Sequence, residues 1–203
     1  MEAHENEVIS LAYSSAMSSQ SAESEEGASP QGSSSKRYLL ASGGRDKNVH
    51  IYDSQGNYEP FTSLDHHTST ITALQFNTYS TIDTRLSGSP NYNKHVELIS
   101  SSADRNLVNK AVDLETFVRN ANNLEHADLS GDNALFKLQK TEICKDKILS
   151  MDVASHAQYL ITGHDKSLCL WKLPTFEKVW EKRVATIEKE EQKNGQKGAT
   201  GTN

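Results

Sequence analysis

Cysteine is nearly absent from this chain: Cys144 and Cys169 are the only two in 203 residues. They stand too far apart for a Cys-x-x-Cys motif, and two thiols alone make no zinc site. A reducing, cytoplasmic compartment is the simplest expectation for such a chain. A basic excess is lacking too. Asp and Glu number 27 against 21 for Lys and Arg, giving a net charge of −6, so the electrostatic footprint of a nucleic-acid binder is missing. No apolar run approaches roughly eighteen residues, which excludes a membrane-spanning helix. The start, MEAHENEVISLAYS, has no basic segment leading into an apolar run, so it does not read as a secretory signal. Hydrophobic content is only 35%, so part of the chain is expected to lie outside any packed core.

What the chain does have is short apolar alternation. Residues 8–13, 38–42, 49–52, 71–76, 96–100, 148–153, 159–162 and 167–171 are rich in β-branched and aromatic residues and are bounded by Gly, Asp, Asn and Ser. Such segments read as strands, and the fold class as all-β. Polar stretches interrupt them. Residues 14–36 hold ten serines and no strong apolar cluster. They cannot bury enough surface to offset the entropy of ordering, so a disordered insertion is expected there. Long loops are expected at 77–94 and at 113–133, the latter with helical turns, and a polar disordered tail at 185–203.

The strands repeat. AHENEVISLAY (3–13) matches HHTSTITALQF (66–76), each with a His ahead of an alternating run that ends on an aromatic. YLLASGGRDKNVHIYD (38–53) matches ELISSSADRNLVNKAV (97–112) and, with one residue dropped, YLITGHDKSLCLWK (159–172). In each, an apolar run leads to Ser or Thr, then small residues, then Asp followed by Lys or Arg, then a second strand. The three copies are centred on Asp46, Asp104 and Asp165. Self-similarity of this kind signals a repeat architecture.

The repeat settles how to read Gly43-Gly44. A phosphate-binding loop would lead into a helix, with Lys and Ser or Thr in register. Here the glycines precede Arg45-Asp46-Lys47-Asn48 and a strand of period two. That is the chemistry of a hairpin turn.

These residues resemble WD40 repeats. The resemblance implies a β-propeller segment of about three four-stranded antiparallel blades: residues 1–64, 65–139 and 140–184. It also implies a structural hydrogen-bond network in each blade, running from the turn Asp to His, from His to Ser, and from Ser to a Trp. The residues at those places are His4, Ser42, Asp46 and Tyr52 in the first copy and His67, Ser100 and Asp104 in the second. Asp165 and Trp171 hold them in the third. Tyr52 and Lys110 stand where the family has Trp, so the last bond is expected to fail in the first two copies. Cys144 stands where the third copy would need its His, so that network is expected to be missing, with His164 solvated in a turn.

His4, Ser42 and Asp46, like His67, Ser100 and Asp104, also have the residue types of a hydrolytic triad. The repeat accounts for all of them without chemistry, so no catalytic residue, cofactor or metal ligand is assigned. Lys47, Arg105 and Lys166 each follow the turn Asp and read as a charged rim open to a partner. Ser29-Pro30 and Ser89-Pro90 are candidate sites for a proline-directed kinase.

Within the WD40 family, the run from EVISLAYS through LISSSADRNLVNKA resembles the subfamily of mitogen-activated protein kinase-binding protein 1 and its spindle-pole, microcephaly-associated paralogue. That resemblance implies a non-enzymatic scaffold. Its partners would be kinases of the c-Jun N-terminal kinase cascade or spindle-pole proteins, and it would act in the cytoplasm, at the centrosome or at the spindle pole. KRYLL (36–40) faintly resembles a kinase-docking motif, but reads better as the start of a buried strand. Propellers close with roughly four to eight blades. Three blades are therefore expected to be part of a ring whose remaining blades are partners in the fold.

Overall fold

A computed structural model describes residues 4–17, 37–83, 91–114, 135–154 and 158–183. Those residues form twelve strands in three four-stranded antiparallel sheets. The first sheet is β1 (Val8–Tyr13), β2 (Leu39–Gly44), β3 (Val49–Asp53) and β4 (Pro60–Leu64). The second is β5 (Ile71–Asp83), β6 (Asn91–Ser102), β7 (Asn106–Val112) and β8 (Phe136–Ile143). The third is β9 (Ile148–Val153), β10 (Tyr159–His164), β11 (Ser167–Lys172) and β12 (Glu177–Arg183). In each, neighbours in sequence are neighbours in space, the meander that short turn-bounded strands favour.

The sheets stack face to face. Opposed residues on antiparallel strands share a face, so register sorts the side chains. Ala12, Ala41 and Ile51 are in register on one face of the first sheet. They meet Leu74, Val96 and Leu98 from the second sheet in one buried cluster. Ala73, Ile99 and Leu107, on the opposite face of the second sheet, meet Met151, Leu160, Cys169 and Trp171 of the third. Each junction therefore joins the same pair of faces. We call the face of Ala41 the leading face and the face of Ser42 the trailing face. Leading packs on trailing twice.

Several expectations change. The loop expected at 77–94 is largely strand: β5 and β6 pair from Ile71↔Ser102 to Asp83↔Asn91. Asn-Thr-Tyr-Ser-Thr-Ile is in fact a β-favouring run, and residues 84–90 lie outside the described residues. The blade boundary expected at 139/140 falls inside β8, which pairs with β7 and so belongs wholly to the second sheet. The serine-rich insertion expected from residue 14 begins as packed chain. Ser14 accepts the Leu39 N–H at 2.8 Å, and Met17 bridges to Arg37 and enters the core. Residues 18–36, most of 113–133 and the whole of 185–203 lie outside the described residues. Arg37, within KRYLL, is buried and forks onto Asp53, with Nε 2.9 Å from Oδ1 and a second contact from its terminal nitrogen to Oδ2. That buried pair closes the first sheet at the end of β3 and removes Arg37 from any docking role.

Candidate functional site: three pinned turns

Asp46 sits in the β2–β3 turn, where Lys47 takes a left-handed φ of 74°. Its carboxylate accepts the backbone N–H groups of Glu5 and Asn48, both at 3.2 Å. It also takes the Nδ1–H of His4 at 2.8 Å. With that proton on Nδ1, His4 Nε2 is an acceptor, and the Ser42 hydroxyl donates to it at 2.7 Å. The Ser42 oxygen in turn accepts from the Tyr52 hydroxyl at 3.1 Å. The result is a directed chain from Tyr52 through Ser42 and His4 to Asp46. Tyr52 therefore makes the bond that was expected to fail. A phenol on the longer reach of Tyr replaces the indole N–H, because both are donors.

The second sheet repeats the chain with one change. Asp104 accepts the backbone N–H groups of Thr68 at 2.9 Å and Asn106 at 2.8 Å, and the Nδ1–H of His67 at 3.1 Å. His67 Nε2 then receives the Ser100 hydroxyl at 2.9 Å. Lys110 stands at the aromatic position, and the outer donor to Ser100 is instead His66, whose Nε2 lies 2.9 Å away. His66 Nδ1 is consequently a bare acceptor, buried without a partner among the described residues. Burial, helped by the neighbouring His67, pushes the His66 pKa down to about 3, which keeps it neutral. Sequence reasoning missed His66. The adjacent His66-His67 pair was visible, but its two distinct bonds were not.

The third sheet has the chain that was expected to be missing. Trp171 donates its indole N–H to Thr162 at 2.9 Å, and the Thr162 hydroxyl donates to His164 Nε2 at 3.0 Å. His164 Nδ1 lies 3.2 Å from the backbone carbonyl of Asp146. The histidine has moved from the loop ahead of the sheet to the end of β10, two residues beyond Thr162. A backbone oxygen replaces the turn carboxylate. His164 is thus a member of the network, and Asp165 is exposed beside it rather than within it.

Charge follows the same logic. Burial alone would raise the Asp46 and Asp104 carboxyls. Hydrogen bonds from His4 and the Asn48 N–H at Asp46, and from the Thr68 and Asn106 N–H groups at Asp104, outweigh it and hold both below the usual range. Burial lowers His67 against the opposing pull of Asp104. At Lys110 burial likewise lowers the ammonium pKa, opposed by Asp65.

The Ser–His–Asp order in the first two sheets has the topology of a hydrolytic triad, and exposure decides what it does. A nucleophile must meet substrate. Ser42 is 4% exposed and Ser100 is 2% exposed, and each hydroxyl oxygen is already capped by a second donor. His4, Asp46 and His50 also bring ligand-type atoms together, but both His4 nitrogens are already engaged, with Asp46 and with Ser42. The arrangement fixes turns. It leaves Lys47 and Arg105 exposed at equivalent places in the two Asp-pinned turns, and Lys166 exposed after Asp165. Ser29 and Ser89 lie outside the described residues.

No curated protein matches the chain. Residues 136–172 match the family model described as WD domain, G-beta repeat. The match begins on β8, the outer strand of the second sheet, and ends just past Trp171, so the sequence repeat is offset by one strand from the sheet. It contains the whole Trp171–Thr162–His164 chain. Residues 136–172 are therefore a WD40 repeat, set in an all-β, three-sheet fold consistent with part of a WD40 propeller.

Proposed function

We propose that the chain is a non-enzymatic interaction scaffold whose docking surface is the rim formed by the three β-turns. WD40 repeats generally serve as protein-binding modules, and that supports the class. The observation that carries the reading is the exposure of Lys47, Arg105 and Lys166, each following the turn Asp, the first two on turns held by hydrogen bonds to Asp46 and Asp104. A rigid row of cations suits an acidic segment of a partner, since complementary charge steers encounter and sets register. The resemblance to the kinase-binding and spindle-pole subfamily supports two partner classes: kinases of the c-Jun N-terminal kinase cascade, and spindle-pole proteins. The corresponding sites of action are the cytoplasm and the centrosome or spindle pole. Ser29 and Ser89 are proposed sites for a proline-directed kinase, and phosphorylation would add about −1.5 to −2 charge at each.

The test is co-precipitation of the two partner classes with the wild-type chain and with a Lys47→Glu, Arg105→Glu, Lys166→Glu variant. Capture by the wild type that is lost in the variant, with the β-rich circular dichroism retained, supports the reading. Capture unchanged by charge reversal places the surface elsewhere.

A further inference from the structure

The two junctions inside the chain define what covers each kind of face. On the trailing face, Leu74 of β5 and Met151 of β9 occupy equivalent places opposite Ser100 and Thr162, and are 2% and 8% exposed. The same place on β1, opposite Ser42, is Leu11, and it is 64% exposed. Val8 is half exposed, whereas its counterparts Ile71 and Ile148 are fully buried. The leading face shows the mirror of this. Ala41 and Ile99 are fully buried, but their counterpart Ile161 on β10 is 38% exposed. Leu168 on β11 is exposed where Val49 and Leu107 are buried. The stack therefore leaves the β1 edge of a trailing face uncovered at one end, beside the buried Ser42 and Tyr52, and a leading face partly uncovered at the other.

These two ends are complementary to each other and not each to itself. We infer that the leading face of the third sheet docks on the trailing face of the first sheet of a second copy of this chain, closing a two-copy ring. The interface is heterologous, head to tail, and used twice. Such contacts form closed rings when the rotation per subunit closes. The described residues of two copies supply six sheets, inside the range of blade numbers over which propellers close. Each new junction would place Leu11 near Ile161, as Leu74 shares a core with Ala41 and Met151 with Ile99. It would also bury the exposed apolar side chains of Val8, Leu11, Ile161 and Leu168.

The test is light scattering with sedimentation velocity on the full chain, wild type and two variants, Leu11→Glu and Ile161→Lys. Both side chains are exposed in the single chain, so neither substitution disturbs its core, and circular dichroism checks this. The expected wild-type result is one species of twice the 22.5 kDa chain mass. Each variant alone is expected to be a monomer, because every ring uses both faces of both copies. Mixing the two is expected to restore a one-to-one dimer, with one junction carrying the Glu–Lys pair and the other native. A wild-type monomer at all concentrations overturns the inference. An open-ended, concentration-dependent polymer overturns closure. Variants that fold but stay monomeric when mixed overturn the assigned pairing of faces.

Discussion

Trp171 holds Thr162 from the third strand of its sheet as Tyr52 holds Ser42 in the first sheet, at 2.9 and 3.1 Å. In both, an aromatic donor orients a buried hydroxyl, which then donates to a histidine. The two residues differ in ring, in hydrogen-bonding atom and in sequence context, yet they occupy the same register position. Polarity is what the position preserves: a donor outermost, a hydroxyl in the middle, an imidazole inward and an anionic or carbonyl oxygen at the end.

Trp171→Phe keeps most of the ring in the core and removes the N–H. The Thr162 oxygen then loses its donor. The expected cost is about 1–2 kcal/mol of unfolding free energy, within the range for a broken buried hydrogen bond plus lost packing. Urea titration followed by circular dichroism reads it. A cost of zero would mean that the indole acts by packing alone.

Asp104→Ala removes an acceptor for Thr68, Asn106 and His67 together. It leaves the buried His67 N–H and the half-buried Asn106 N–H unpaired and is expected to cost about 1–3 kcal/mol. Asp165→Ala, at an exposed carboxylate outside its network, is expected to stay within about 0.5 kcal/mol of wild type. The same titration distinguishes them. Equal costs would contradict the different placement of these two aspartates.

Lys47 and Arg105 hold left-handed φ values of 74° and 73° at equivalent turns. A side chain in that region is strained by roughly 1 kcal/mol, and glycine is not. Lys47→Gly and Arg105→Gly are each expected to be neutral to stabilising, by up to about 1 kcal/mol. Both should nevertheless weaken partner binding, which separates the turn's stability from its docking role.

Stability should fall as the medium is acidified. The His66 pKa drops from 6.5 to about 3 in the folded state through burial and the neighbouring His67. Between those values the unfolded chain takes up a proton that the folded chain refuses, so acid favours unfolding. The stabilisation is full above the unfolded value of 6.5 and is lost as pH falls toward 3. The lowered Asp46 and Asp104 carboxyls act in the same direction below their ordinary value of 3.8. Urea midpoints at pH 7 and pH 4.5 should differ, and His66→Asn should flatten the difference. An unchanged slope in that variant would contradict a buried neutral His66.

Inner strands were legible in the sequence, and outer ones were not. β1 and β9 coincide with alternating runs because one face of each is packed. β12 (Glu177–Arg183), by contrast, is exposed almost throughout and charged, so burial leaves no periodic mark on it. β8 was hidden for the same reason, whereas β4 is only five residues long and opens on proline. The extension of β5 and β6 was readable from its Thr, Tyr and Ile content but was masked by the polar residues between them. Asp46, Asp104 and the first-sheet His4 were found by repeat alone. His66 and His164 were not: His66 reaches Ser100 from the loop position next to His67, and His164 reaches Thr162 from the end of β10, which breaks the spacing on which repeat matching depends. The Arg37–Asp53 pair needed a fold to bring its ends together.

Hydrogen–deuterium exchange at the turn amides tests most directly whether these His, Ser and Asp residues hold the turns. The amide protons of Asn48, Thr68 and Asn106 bond to Asp46 or Asp104. In Asp104→Ala, exchange at Thr68 and Asn106 is expected to accelerate at least tenfold while Asn48, on the separately pinned first turn, keeps its wild-type rate. Equal exchange at all three amides in the variant and the wild type would mean that the turns stand without the network, and the structural assignment of these residues would be wrong.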